Sequence, residues 1–194
     1  MVISSAENPR TRAARRPARS AGVRLGLSLS VVILLAGAGF SAAPQEDRPP
    51  TGRAIWPAVV GDGLQTLDGQ PLERQQLEGR WVLLDFWATW CAPCIAELPT
   101  LRRIHETWQG TEHLILGVSM NRSSRARVMS WIERQRAEWL QLHDGQGFAG
   151  PVARALGVEV VPRTLLVDPA GRIVAVDLRG DELISAIETL VPTS

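Results

Sequence analysis

The sequence predicts an α/β domain, with a central mixed β-sheet flanked by helices on both faces. Three observations point there. Beyond residue 57, short apolar runs alternate with stretches of helical periodicity. The run Arg-Trp-Val-Leu-Leu-Asp-Phe at residues 80–86 is largely apolar with one acid inside it, the composition of a strand covered on both faces. Towards the C-terminus, two apolar runs at 163–167 and 172–178 are joined by Asp168-Pro169-Ala170-Gly171, a turn sequence that folds them into a hairpin.

The elements follow in order. Residues 64–72 place Asp68-Gly69 between two short extended pieces, the chemistry of a hairpin turn. Residues 80–86 form the buried strand. Residues 94–108 read as a helix, because Ile95, Leu98, Leu101, Ile104 and Trp108 recur at intervals of three or four. Pro99 inside it deletes one backbone hydrogen bond and crowds the preceding turn, which predicts a kink about two turns in unless the helix starts later. Residues 112–120 are a second strand. Residues 125–138 form a charged helix that shows Val128, Trp131 and Ile132, with Trp139 after them, to the sheet. Residues 140–143 make a short edge strand, and 151–156 a helix with Pro151 in its first turn and Gly157 as its C-cap. The last helix, 181–190, turns Leu183, Ile184, Ile187 and Leu190 inward. No internal repeat occurs, so one domain is expected at residues 58–194.

Length and composition bound the rest. A chain of 194 residues with 45% apolar content builds one solid core and is not disordered throughout. Six arginines and one acid fall before residue 44, so fifteen arginines and nineteen acids remain beyond it, a net charge near −4. Such a body lacks the basic stripe of a nucleic-acid-binding domain, and no nucleic-acid partner is expected. The chain contains no lysine, which excludes Schiff-base chemistry.

Residues 1–43 combine an Arg-rich end with an uncharged apolar run from residue 25 to 43, which reads as an export signal: either a retained single N-terminal anchor or a signal peptide cleaved near Ser41-Ala42-Ala43. The Arg-rich end then stays cytoplasmic and the domain lies outside. Residues 44–57, rich in proline, read as a spacer.

The chemistry concentrates at Cys91-Ala92-Pro93-Cys94, which follows a strand and opens a helix. Unpaired N–H groups and the positive dipole end at a helix start stabilise a thiolate, so the Cys91 pKa should lie below that of a free cysteine. Each unit of depression is worth about 1.4 kcal/mol in favour of the thiolate. Cys94, one turn inward, is expected to be sheltered, while Ala92 leaves Cys91 open; Pro93 stiffens the ring the two cysteines close. Alternatives remain: half of a zinc site completed by His105, His113 or His143, or an inert structural disulfide, which would close almost no loop.

Neighbouring residues fit a redox site. Asp85 would lie beneath Cys94, where burial raises its pKa and lets it take the inner thiol's proton; a solvent-facing position at the strand end is the rival view. Glu97 is a second proton carrier, a binding residue or an ordinary exposed helical acid. Trp87 and Trp90 flank the cysteines as shields from water, or Trp87 packs in the core. Val161-Pro162 precedes a strand, and with a cis bond it would present the Val161 backbone to an extended partner beside Cys91. Arg163 adds to the field around Cys91 or faces solvent.

The segment Leu-Leu-Asp-Phe-Trp-Ala-Thr-Trp-Cys-Ala-Pro-Cys-Ile-Ala-Glu-Leu-Pro at 83–99 resembles the thioredoxin superfamily, in particular its exported, often membrane-tethered TlpA/ResA/CcmG-like members of the cytochrome-maturation type. Gly157, Val158, Val161, Pro162, Thr164, Asp168 and Gly171 match the later part of the pattern, and the insert between Thr111 and Gly157 is similar to that subgroup. Leu165 departs from it, standing where many of these proteins have an aromatic residue. The resemblance implies a thioredoxin-like fold, Asp85 as the buried acid and Pro162 as the cis-proline. It also implies a catalytic set of Cys91, Cys94, Asp85 and Glu97, and substrate contacts from Trp90, Pro93, Val161, Pro162 and Arg163. No metal and no cofactor beyond the redox-active Cys91–Cys94 pair is implied. The expected activity is thiol-disulfide exchange, reducing exported proteins such as apocytochrome c, with re-reduction by a membrane electron donor of the thiol-reducing type. The alternatives are a disulfide-forming oxidase and a redox-inactive copper-binding or delivery module.

Overall fold

Val82–Trp87 (β1) is buried along its whole length, as its apolar run dictates, and the sheet is built outward from it. In the computed structural model, which describes residues 55–60 and 65–192, β1 pairs in parallel with Leu114–Ser119 (β2), and β2 in parallel with Leu140–Leu142 (β3). On its other side β1 pairs antiparallel with Arg163–Val167 (β4), and β4 antiparallel with Ile173–Val176 (β5). The order β3-β2-β1-β4-β5 is the expected mixed sheet. Register sets Asp85 opposite Gly117 on one side and Thr164 on the other.

The helices are Trp56–Val59 (α1), Ala92–Trp108 (α2), Arg125–Gln135 (α3), Pro151–Ala155 (α4) and Gly180–Leu190 (α5). Strand alternation divides the core between the two faces of the sheet. Val82, Leu84 and Phe86 pack with Trp56 and Val59 of α1 and Val152 and Ala153 of α4, whereas Leu83 packs with Leu98, Leu101 and Ile104 of α2 and Leu183 and Ile187 of α5. Asp85, two residues after Leu83, therefore faces the α2 and α5 side. The 65–71 hairpin, bridged at Gln65 and Pro71, adds Thr66 to Leu142 and so covers part of the β3 edge.

Three expectations are corrected. Ile55 and Trp56, placed in the spacer, are buried in the core: Ile55 N–H donates to Gly171 O at 2.9 Å, and the Trp56 ring lies so close to Gly171 that a Cβ there would stand 2.8 Å from it. The α3 helix ends at Gln135 and not 138, because Arg136 adopts a left-handed conformation (φ 51°) and Ala137 N–H closes onto Ile132 O at 3.2 Å. Trp139 thus leaves the helix and is buried against α2. Helix α2 starts at Ala92, two residues before the expected Cys94, with Pro99 inside it. Among the described residues no helix is long and apolar enough to cross a membrane; the apolar run at 25–43 lies outside them.

Candidate active site

β1 delivers the chain through Ala88-Thr89-Trp90 to Cys91, the N-cap of α2. Cys91 is extended (φ −90°, ψ 96°), so its side chain folds over the first turn and Sγ accepts the Cys94 N–H at 3.2 Å. That donor is one of the first-turn groups with no partner inside the helix, and it points with the helix dipole at the sulfur. Pro93 fits this turn because it brings no N–H of its own. The two cysteines form a disulfide, with Cα atoms 5.3 Å apart.

The expected contrast in exposure is absent: Cys91 is 4% and Cys94 5% exposed in this oxidised form, both belonging to the buried cluster that includes Trp87 and Ala88. Trp90, the residue before Cys91, is 63% exposed. Trp87 is a core residue, donating through Nε1 to Gln141 Oε1 at 3.0 Å and stacking on Trp131 with ring centroids 4.7 Å apart.

Asp85 is buried, not solvent-facing, and it shares a small cavity with Cys94, Trp87, Leu98, Trp131 and Gln141. That cavity is about 10 Å³, close to the room one water centre needs. Burial pushes the Asp85 carboxyl up to about 7; the Arg179 guanidinium pulls against this shift and the Glu97 carboxylate adds to it.

Glu97 is not an ordinary exposed helical acid. It is half-buried, and its Oε1 accepts the Gly180 N–H at 2.7 Å, at the first residue of α5. Next to it, Arg179 Nη2 donates to the carbonyl of Pro162 and lies 3.9 Å from Asp177 Oδ1. The Val161–Pro162 peptide is cis, and both residues are half-buried just before β4. Arg163 is buried, and its Nη2 donates to Asp177 Oδ2 at 3.2 Å, so its guanidinium is engaged inside the protein and does not face solvent. Residues 179 and 180 thus join Glu97 on α2 to the Pro162 loop, and the Arg179 charge acts on Asp85 of β1.

Sequence reasoning missed Arg179, which no motif marks. It also missed Asn121, which holds the active-site loop by accepting at Oδ1 from Thr89 N–H (3.1 Å) and Thr89 Oγ1 (2.7 Å). The histidines considered as ligands serve elsewhere. His105 packs on Trp139, His113 on Trp108, and His143 bonds Ser119 and Ser123. Among the described residues no three His, Cys, Asp or Glu side chains are grouped to hold a metal.

Residues 61–176 match the AhpC/TSA family. The thiol-disulfide oxidoreductase ResA of Halalkalibacterium halodurans is 32% identical over 119 residues, covering 60% of this chain and 64% of that protein, just under two thirds of its length. The ResA of Bacillus cereus is 24% identical over 170 residues, covering 85% of this chain and 93% of that one. In structure, the thioredoxin domain of a thiol-disulfide oxidoreductase from Bacteroides vulgatus superposes with a TM-score of 0.62 at 29% identity, over 74% of this chain and 99% of that chain. A matched family over more than half the sequence, a thioredoxin-like sheet order and a Cys91–Cys94 disulfide at the head of α2 agree: the chain belongs to the AhpC/TSA family.

Proposed function

We propose that this thiol-disulfide oxidoreductase works on the outer side of the cytoplasmic membrane, reducing disulfides of exported proteins, apocytochrome c among them. The observation that carries the reading is the Cys91 sulfur capping α2 through the Cys94 N–H, with a buried acid of raised pKa sharing a cavity with Cys94. The relatives' activity and the apolar run ahead of the domain support the setting.

In the forward direction the Cys91 thiolate attacks one sulfur of a substrate disulfide. A Cys91–substrate bond forms, the substrate's own S–S bond breaks, and the departing sulfur takes up a proton. Cys94 then passes its proton towards Asp85 and attacks Cys91 Sγ. The mixed disulfide breaks, the Cys91–Cys94 disulfide forms, and the substrate leaves with both sulfurs as thiols, two electrons having moved from the pair to the substrate. A membrane electron donor of the thiol-reducing type restores the pair. The Val161 backbone, ahead of Pro162, offers an extended partner its pairing edge. Glu97 and Arg179 fix the field around Asp85. Trp90 and Pro93, both exposed beside the pair, form the surface a partner meets first.

The reduction potential tests the direction. A value at or below about −220 mV, the region of glutathione and thioredoxin, is expected; a value near −120 mV, as for a strong oxidase, contradicts reduction and makes the protein a disulfide-forming enzyme. The Cys94→Ser variant should retain exported proteins as covalent adducts on Cys91, and their absence under mild oxidation contradicts the role of Cys91. Stoichiometric copper uptake by the reduced chain with no thiol exchange would instead indicate metal delivery.

A further inference from the structure

Beside the cysteines a groove of about 610 Å³ opens between the active-site loop and the 3-10 turn Gly147–Ala149, a size that accommodates several side chains. Trp90 and Phe148 both line it, their ring centroids 6.4 Å apart. Its charged lining residues are Arg122 and Arg127, and no acid is among them, although residues 44–194 carry a net charge near −4. The acid just ahead of the turn, Asp144, accepts the Gln146 N–H at 2.8 Å.

The floor of the groove is fixed by a buried polar chain. Asn121 holds Thr89 through Oδ1 and donates from Nδ2 to Ser119 Oγ at 2.8 Å. Ser119 Oγ meets His143 Nδ1 at 3.1 Å, and His143 Nε2 meets Ser123 O at 3.0 Å. Gly147, at φ +60°, approaches so closely that a Cβ would stand 3.0 Å from Met120 O and 3.2 Å from the Arg122 stem. The loop carrying Trp90 is therefore held in place before a partner arrives, and glycine at 147 leaves room for the Arg122 stem beside it.

We propose that this groove recognises an acidic segment beside the cysteine of the substrate protein, its carboxylates on Arg122 and Arg127 and an apolar neighbour against Trp90 and Phe148. The inference rests on the thiol-exchange reading and names the substrate class. Planar guanidinium groups suit carboxylates, and charges at the rim of an interface chiefly speed encounter in a salt-dependent way.

The test measures exchange between the reduced full chain, in non-ionic detergent, and two homodimeric peptide disulfides whose cysteine is flanked by glutamates or by lysines. Each rate is divided by that of dithiothreitol with the same peptide, and hydroxyethyl disulfide, small and neutral, reports the chemistry alone. The acidic peptide is expected to react about fivefold faster at low ionic strength. The difference should close at about 1 M salt, where the Debye length is ~3 Å. In the R122E/R127E variant the order of the peptides should invert, which separates the groove from the arginines before residue 25. Equal rates at low salt, or an unchanged preference in that variant, with hydroxyethyl disulfide still exchanging, overturns the inference and leaves the proposed function standing. No exchange with any of the three disulfides overturns the function itself.

Discussion

A carboxyl group taken out of water must find a cation or keep its proton, and Asp85 is held between the two. Burial raises it to about 7 and Arg179 restrains the rise. Its folded pKa stands above the unfolded value of about 3.9, so the folded chain binds the extra proton in between. The stability tied to that proton is complete below about pH 4 and is lost as pH climbs through 7. Urea unfolding of the oxidised chain should therefore show wild type losing about 3 kcal/mol relative to Asp85→Asn between about pH 5 and pH 8; a pH-independent difference contradicts the burial account. Arg179→Gln removes the opposing charge, so the Asp85 carboxyl, followed by carbon NMR, should titrate at higher pH, and the pH midpoint of the resolving step should rise with it. Asp85 was legible because an acid stands in an otherwise apolar strand. Arg179 was not, because nothing local marks a residue that reaches the site only through the packing of α5 against α2.

At the scale of elements, α2 joins chemistry to scaffold. Its first turn faces the Cys91 sulfur, and one turn further on Glu97 accepts the leading N–H of α5. Glu97→Ala should destabilise the fold by about 1 kcal/mol through loss of that cap, measured by denaturant unfolding, with Glu97→Gln costing less because its amide oxygen still accepts. Gly117 on β2 leaves no room for a side chain, since a Cβ there would meet Gln141 Oε1 at 2.1 Å. Gly117→Ala should cost about 1–3 kcal/mol and, by displacing Gln141, free the Trp87 Nε1–H it accepts, visible as a shifted indole proton resonance. Strands and helices were legible wherever apolar spacing ran unbroken, as in β1 and α2. The reading failed where shape overrides pattern: Arg136 ends α3 in a left-handed turn with no glycine to signal it, and the prolines around Ile55-Trp56 hid two core residues inside an apparent spacer.

For the molecule as a whole, the mixed sheet order and the turn from β1 into α2 bring Cys91, Asp85, Glu97 and Pro162 to one end of the domain. That arrangement was readable because the strand-Cys-x-x-Cys-helix pattern fixes it. The groove wall was not, since it comes from an insert whose contacts with Thr89 run through Asn121, Ser119 and His143. Equal burial of the two cysteines moves the source of their difference from exposure to electrostatics: one caps a helix, the other lies against an acid. Rates of iodoacetamide alkylation of each cysteine in the reduced chain, resolved by peptide mass across a pH series, test this most directly. Cys91 should react with a midpoint below the free-cysteine value of about 8.5 and Cys94 with one above it. A shared midpoint at or above about 8.5 for both thiols would contradict the account.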